Sequence, residues 1–224
     1  MGSEMCIRDS RYYRWFYEYS GGKLTDWGAH HVDIALAGLG KLGTDIGKVT
    51  IEPVSVVHPV EFDEKGMPKS EDRFNAATKF NVRCTFEDGV ELYVRDIVDA
   101  GFQNGIKFEG SKGRFLVNRG KLVGKPAEEL EKNPLPDDYY EKVFGSKLPK
   151  SHMHNFFDCV KSRKQPISDV VSHNCMLDIC HAINIAMRLN KKIVFDPKAK
   201  NFGDDALANS FISREQRKGY EIEA

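Results

Sequence analysis

Asp26, His30, His31 and Asp33 put two carboxylates and two imidazoles into one short stretch, just after the Gly21-Gly22 pair. Apolar spacing predicts a helix over 27–39, with Asp26 at or near its N-cap, where a carboxylate oxygen accepts a backbone N–H. His30 then lies one turn further along the same face, and Asp33 follows three residues later. A carboxylate beside an imidazole sets its tautomer and raises its basicity, as a proton-transferring histidine requires. Two plainer readings stay open. The stretch could be a capped helix whose histidines satisfy ordinary hydrogen bonds, or a metal site, since all four side chains are competent ligands. Consecutive helical residues point about 100° apart, so His30 and His31 do not easily face one ion, which disfavours the metal.

Other candidates are weaker. Arg14 and Trp15 offer a cation and a flat apolar face to a polyol, or simply anchor a loop. Asn104, in the run Gly101-Phe102-Gln103-Asn104-Gly105, either walls a site or forms a left-handed turn. His152 and His154 precede a helix with no carboxylate partner nearby and read as its solvated first turn. The run Gly38-Leu39-Gly40-Lys41-Leu42-Gly43 matches GxGxxG. It follows a helix and leads into a strand, whereas a dinucleotide-binding loop follows a strand and opens a helix. No cofactor-binding and no metal-binding residue is therefore assigned.

The elements that hold these residues can be read from periodicity. The aromatic lead 11–19 reads as loop or extended chain. Strands are expected over 49–58, 76–86 and 90–98, the last two joined through Asp88-Gly89. In 76–86, Phe80, Val82, Cys84 and Phe86 alternate with Lys79, Asn81, Arg83 and Thr85. A second hairpin is expected over 106–117, and Leu122-Val123 adds a short strand. The charged, proline-rich run 125–149 reads as a surface excursion with one short helix. Helices follow over 151–163, 172–189 and 204–214, with a strand over 192–195 between the last two. Clean alternation implies an antiparallel sheet with one face packed on helices and the other more polar. The fold class is α+β.

The chain has 224 residues, with 33 basic and 33 acidic side chains. Neither a nucleic-acid-binding field nor a disordered acidic composition is present. No apolar run reaches the length of a membrane span, so a soluble protein is expected, cytoplasmic with a periplasmic location left open. Cys6, Cys84, Cys159, Cys175 and Cys180 form no CxxC pair and read as small apolar residues. Residues 1–10 read as a non-native leader, the translation of a sequencing adapter, and are set aside.

From residue 11 onward the chain resembles the C-terminal domain of the Gfo/Idh/MocA oxidoreductases. The resemblance rests on Gly21-Gly22-x-x-x-Asp26-x-x-x-His30-x-x-Asp33, then on Asn155-Phe156-Phe157-Asp158 through Arg163 to Gln165-Pro166. Phe195-Asp196-Pro197, Phe202, Asp205, Ala208-Asn209, Arg217 and Tyr220 complete it. Bacterial members look most similar.

The resemblance implies a two-domain enzyme whose N-terminal NAD(P)-binding domain is absent here, residues 11–224 being the substrate-binding and oligomerisation domain. It implies an open, mainly antiparallel β-sheet with helices packed on one face, and a homo-oligomer built through the sheet's other face. His30 becomes the acid/base acting on a sugar, cyclitol or polyol hydroxyl, Asp26 its orienting carboxylate, and NAD or NADP the oxidant. Arg14, Trp15 and Asn104 are then candidate substrate contacts. Two alternatives remain: a family member that uses NAD for net glycoside cleavage or elimination, and a non-catalytic carbohydrate-binding or assembly module.

Overall fold

The computed structural model describes residues 12–70, 72–96 and 104–222. Residues 1–10, Cys6 among them, and Gly101, Phe102 and Gln103 of the Asn104 loop lie outside the described residues. The chain divides into two compact units, one from Met1–Asp99 with Asn174–Ala224, the other Ala100–His173.

The first unit is built on a four-stranded antiparallel sheet. Its strands are β1 (Val49–Val57), β2 (Lys79–Phe86), β3 (Glu91–Arg95) and β7 (Ile193–Phe195), in the spatial order β3-β2-β1-β7. Alternation works as expected. Phe80, Val82, Cys84 and Phe86 are buried, and so are Val49 and Ile51 paired across from Phe86 and Cys84. Pro53 sits at a register shift in β1. Strand β7 pairs only with Val49–Ile51, so the missing proline N–H costs no ladder bond on that side.

This apolar face packs with helix α1 (Ala29–Gly38) and helix α5 (Val170–Leu189) in one core, through Val32 and Leu36 of the former and Ile179, Ile183 and Met187 of the latter. Helix α5 is buried on more than one face, as befits the central helix of the core. Cys84, Cys175 and Cys180 are buried free thiols. Burial pushes the Cys84 thiol up to about 12, so it behaves as an apolar side chain.

The second unit carries a three-stranded meander: β4 (Ile106–Gly110), β5 (Gly113–Asn118) and β6 (Lys121–Val123). Among the described residues the strands thus form two open antiparallel sheets rather than one, because tight turns let β4, β5 and β6 pair among themselves. Helices α2 (Lys125–Lys132), α3 (Tyr139–Phe144) and α4 (His152–Ser162) follow. The expected single helix over 125–149 is two, separated by Pro134 and Pro136. Ser151 caps α4, its Oγ accepting the His154 N–H at 3.3 Å, and His152 and His154 are exposed in the first turn.

Helix α6 (Ala206–Asn209) is a single turn rather than the expected run over 204–214. Asn209 folds back, its amide accepting from Phe202 N at 2.9 Å and donating to Gly203 O at 2.8 Å. A side chain that bonds nearby backbone competes with continuation of the helix. No helix among the described residues is long and apolar enough to cross a membrane.

Candidate functional site

The helix that carries the acidic and histidine residues begins earlier than its periodicity predicts. Helical backbone starts at Gly22, passes through a π-helical turn at Leu24–Gly28, and continues as α1. Asp26 is therefore not an N-cap but lies inside the π turn. The Gly21-Gly22 pair explains the early start. A Cβ on Gly21 would come within 2.3 Å of Asn184 Nδ2 and 2.5 Å of the Thr25 methyl, and Gly22 has φ +67° with Ala76 against it. Only glycine permits that approach and that dihedral. The Asn184 amide, buried in α5, donates to Gly21 O at 3.0 Å and ties the helix start to the core. Single π turns recur at functional sites.

The aromatic lead is ordered from both ends. A 3-10 turn spans Tyr13–Trp15, and Trp15 O accepts two backbone N–H groups, from Asn75 at 3.1 Å and Ala76 at 3.0 Å. Phe16 is buried, edge-on to Phe74. Tyr17 OH accepts from Ala77 N and meets His58 Nε2 at 3.2 Å. Burial pushes the Tyr17 phenol up to about 12. Burial, aided by the nearby Arg188 cation, pushes His58 down to about 4, so its ring is neutral at physiological pH. The Arg188 guanidinium lies over the rings of Tyr17 and Phe211 and donates to Gly66 O.

On this scaffold Arg14 Nη1 reaches Asp26 Oδ2 at 2.8 Å, both side chains being partly open to solvent. Asp26 makes no hydrogen bond to His30, so the expected carboxylate–imidazole contact is replaced by an arginine–carboxylate pair. A charge-assisted bond to a fork-shaped donor is the stronger partner for that carboxylate. His30 is exposed, and among the described residues its contact is with the Trp27 ring, edge-on at 6.1 Å between centroids. Its ring nitrogens are thus available to a ligand. Trp27 itself is 55% exposed. The protein has two tryptophans, and Trp15 and Trp27 directly follow Arg14 and Asp26 in sequence.

Asn104 belongs to the second unit, on the loop before β4, where its carbonyl accepts from Asn118 Nδ2 at 3.4 Å. The glycine-rich run 38–43 ends α1. Gly40, with φ +67°, and Lys41 donate back to Ala37 O and Leu36 O at 3.1 and 2.7 Å. That is a helix C-terminus of the Schellman type, with two of its N–H groups already spent on the helix. The described residues of this run do not fit a dinucleotide phosphate. No group of three or more His, Cys, Asp or Glu among the described residues is placed to hold a metal ion. A cleft of about 310 Å³ is lined by Tyr17, His181, Asn184, Arg188, Phe202 and Phe211, among others, and not by Arg14, Asp26 or His30.

Periodicity missed Asn75, Glu18, Asn184 and Tyr17. Each acts on residues distant in the chain, and no spacing rule marks such a partner.

Comparison with known proteins adds the following. A Gfo/Idh/MocA family model, described as "Oxidoreductase family, C-terminal alpha/beta domain", matches residues 6–222. No curated protein matches the chain. Among solved structures, one described as an NAD-binding protein from Listeria innocua aligns over 81% of this chain and 50% of its own, at 20% identity and a TM-score of 0.45. The chain spans about half the length of that protein.

Proposed function

Since the chain belongs to the Gfo/Idh/MocA oxidoreductase family through its C-terminal alpha/beta domain, we propose that it is the substrate-binding and catalytic half of an NAD(P)-dependent enzyme. The substrate in this reading is a sugar, cyclitol or related polyol, oxidised at one hydroxyl. The observation that carries the reading is the π turn that presents Asp26, locked by Arg14, one turn before an exposed His30.

Each group has a role that its surroundings support. His30 takes the proton from the hydroxyl being oxidised, its ring nitrogens having no competing hydrogen bond among the described residues. Asp26 accepts a hydrogen bond from a neighbouring hydroxyl, and Arg14 holds the carboxylate in place for it. Trp27, 55% exposed, offers an aromatic ring to the C–H side of a sugar ring. Trp15 completes the proposed substrate contacts. NAD or NADP supplies the hydride acceptor, and residues outside this chain hold it. Assembly with a second copy is proposed through the outer face of the four-stranded sheet, where Tyr93 and Val194 are exposed beside the Glu52–Arg83 ion pair.

Both tryptophans lie in the proposed site, so intrinsic fluorescence tests the reading directly. Titration of the chain with myo-inositol and with glucose should change the emission saturably, and Asp26→Asn should weaken the response. A flat titration with both polyols, together with wild-type turnover by Asp26→Ala and His30→Ala in the full-length enzyme, would overturn it.

A further inference from the structure

We infer that Asn75 is a positioning residue for the Arg14–Asp26 pair, a role that rests on the function proposed above. Asn75 is 1% exposed and far from both residues in sequence. Its hydrogen-bonding groups are spent on the aromatic lead. Oδ1 accepts from Tyr17 N at 2.8 Å. Nδ2 donates to both oxygens of the Glu18 carboxylate, at 3.0 and 2.8 Å. The backbone N–H donates to Trp15 O, and the next residue's N–H does the same. Ala77 N, two residues on, donates to Tyr17 OH.

The same short segment also meets the helix start, where Ala76 fits against the bare Cα of Gly22. Residues 75–77 therefore clamp two things together: the lead that carries Arg14, and the turn that carries Asp26. An asparagine suits the clamp because one side chain must accept from a backbone N–H and donate to a carboxylate at once. In a buried network each unmade bond is costly, so the geometry is held firmly. Displacement of a catalytic group by about 1 Å lowers rate on the order of a hundredfold, which is the sense in which a residue remote from substrate controls the site.

Asn75→Asp tests the clamp with little change in volume. It keeps the acceptor for Tyr17 N–H but sets a carboxylate against that of Glu18. Adding Glu18→Gln returns an amide to the pair with its polarity reversed. The readouts are acrylamide quenching of Trp15 in a Trp27→Phe background, myo-inositol affinity by calorimetry in the Trp27 chain, and far-ultraviolet circular dichroism for the fold. Asn75→Asp should leave the helical signal intact, raise the Trp15 quenching constant about twofold and weaken polyol binding about tenfold. The double variant should recover both.

A folded Asn75→Asp chain with wild-type quenching and affinity overturns the inference, and so does failure of the double variant to recover quenching. Should Asn75→Asp not fold, the double variant decides alone, with wild-type quenching in support and altered quenching against. A wild-type chain that ignores polyols while Asn75→Asp still moves Trp15 defeats the proposed function and leaves the clamp standing.

Discussion

Arg14 Nη1 stands 2.8 Å from Asp26 Oδ2, joining a 3-10 turn to the π turn that begins ten residues later. The pair is partly solvent-exposed, with 43% and 35% of its side-chain surfaces open. Ion pairs so open contribute less than about 1 kcal/mol to stability. The pair's value lies in where it points Asp26.

Arg14→Ala should accordingly leave the urea midpoint almost unchanged while weakening polyol binding severalfold. Parallel denaturation and calorimetric titration separate the two effects. A large stability loss with unaltered affinity would mean that the pair is structural.

In the full-length enzyme His30→Ala should lower kcat by about a hundred- to ten-thousand-fold, the usual worth of general acid–base catalysis. Asp26→Asn should do less harm, because its amide still hydrogen-bonds a hydroxyl. His31 points about 100° away, so His31→Ala should keep most activity. Steady-state assays of the two histidine variants on one polyol make the comparison, and a crippled His31→Ala beside an active His30→Ala would reassign the base.

His58 gives the first unit a pH dependence. Its folded pKa of about 4 lies below the ordinary value of 6.5, so between these values the unfolded chain binds the extra proton. Stability should therefore be constant above about pH 6.5 and fall as pH drops towards 4, by up to about 3 kcal/mol from this group. Urea unfolding of wild type and His58→Gln at pH 7 and pH 5 reads it out. The variant should lose less on acidification, and equal losses would show that the slope arises elsewhere.

Gly21→Ala should destabilise the chain by about 1–3 kcal/mol, as overpacking of a tight contact does. The new methyl collides with Asn184 Nδ2 and Thr25. Thermal unfolding measures the loss. A wild-type melting temperature would show that the helix start relaxes freely.

The proposed assembly through the outer sheet face predicts that Tyr93→Glu with Val194→Glu converts a dimer or higher oligomer into a monomer, as light scattering would show. An unchanged mass would place any interface elsewhere. An uncovered antiparallel face with apolar members is a natural isologous contact.

Much of the fold was legible without tertiary information. The alternation of Phe80, Val82, Cys84 and Phe86 marked β2 and its buried face, and Asp88-Gly89 marked the turn to β3. The long apolar spacing of Met176, Ile179, Cys180 and Ile183 marked α5. The order and spacing of three motifs together, from Gly21 to Asp33, from Asn155 to Pro166 and from Phe195 to Tyr220, carried the family. The boundary of the first helix was misplaced because its early start depends on Asn184 and Ala76, which lie far away in sequence. The length of α6 was overestimated because Asn209 spends its amide on the backbone of Phe202 and Gly203.

Local chemistry decided which segments form strands and helices and which residue types enter the site, because periodicity and turn preferences act over a few residues. Contacts between distant segments decided the rest: that Asp26 sits within a π turn, that Arg14 and not His30 binds its carboxylate, and that Asn75 holds Tyr17 and Glu18 in place. A hydrogen bond between residues 17 and 75 leaves no periodic trace, because its energy depends on a geometry that exists only once the sheet, α5 and the aromatic lead have packed together.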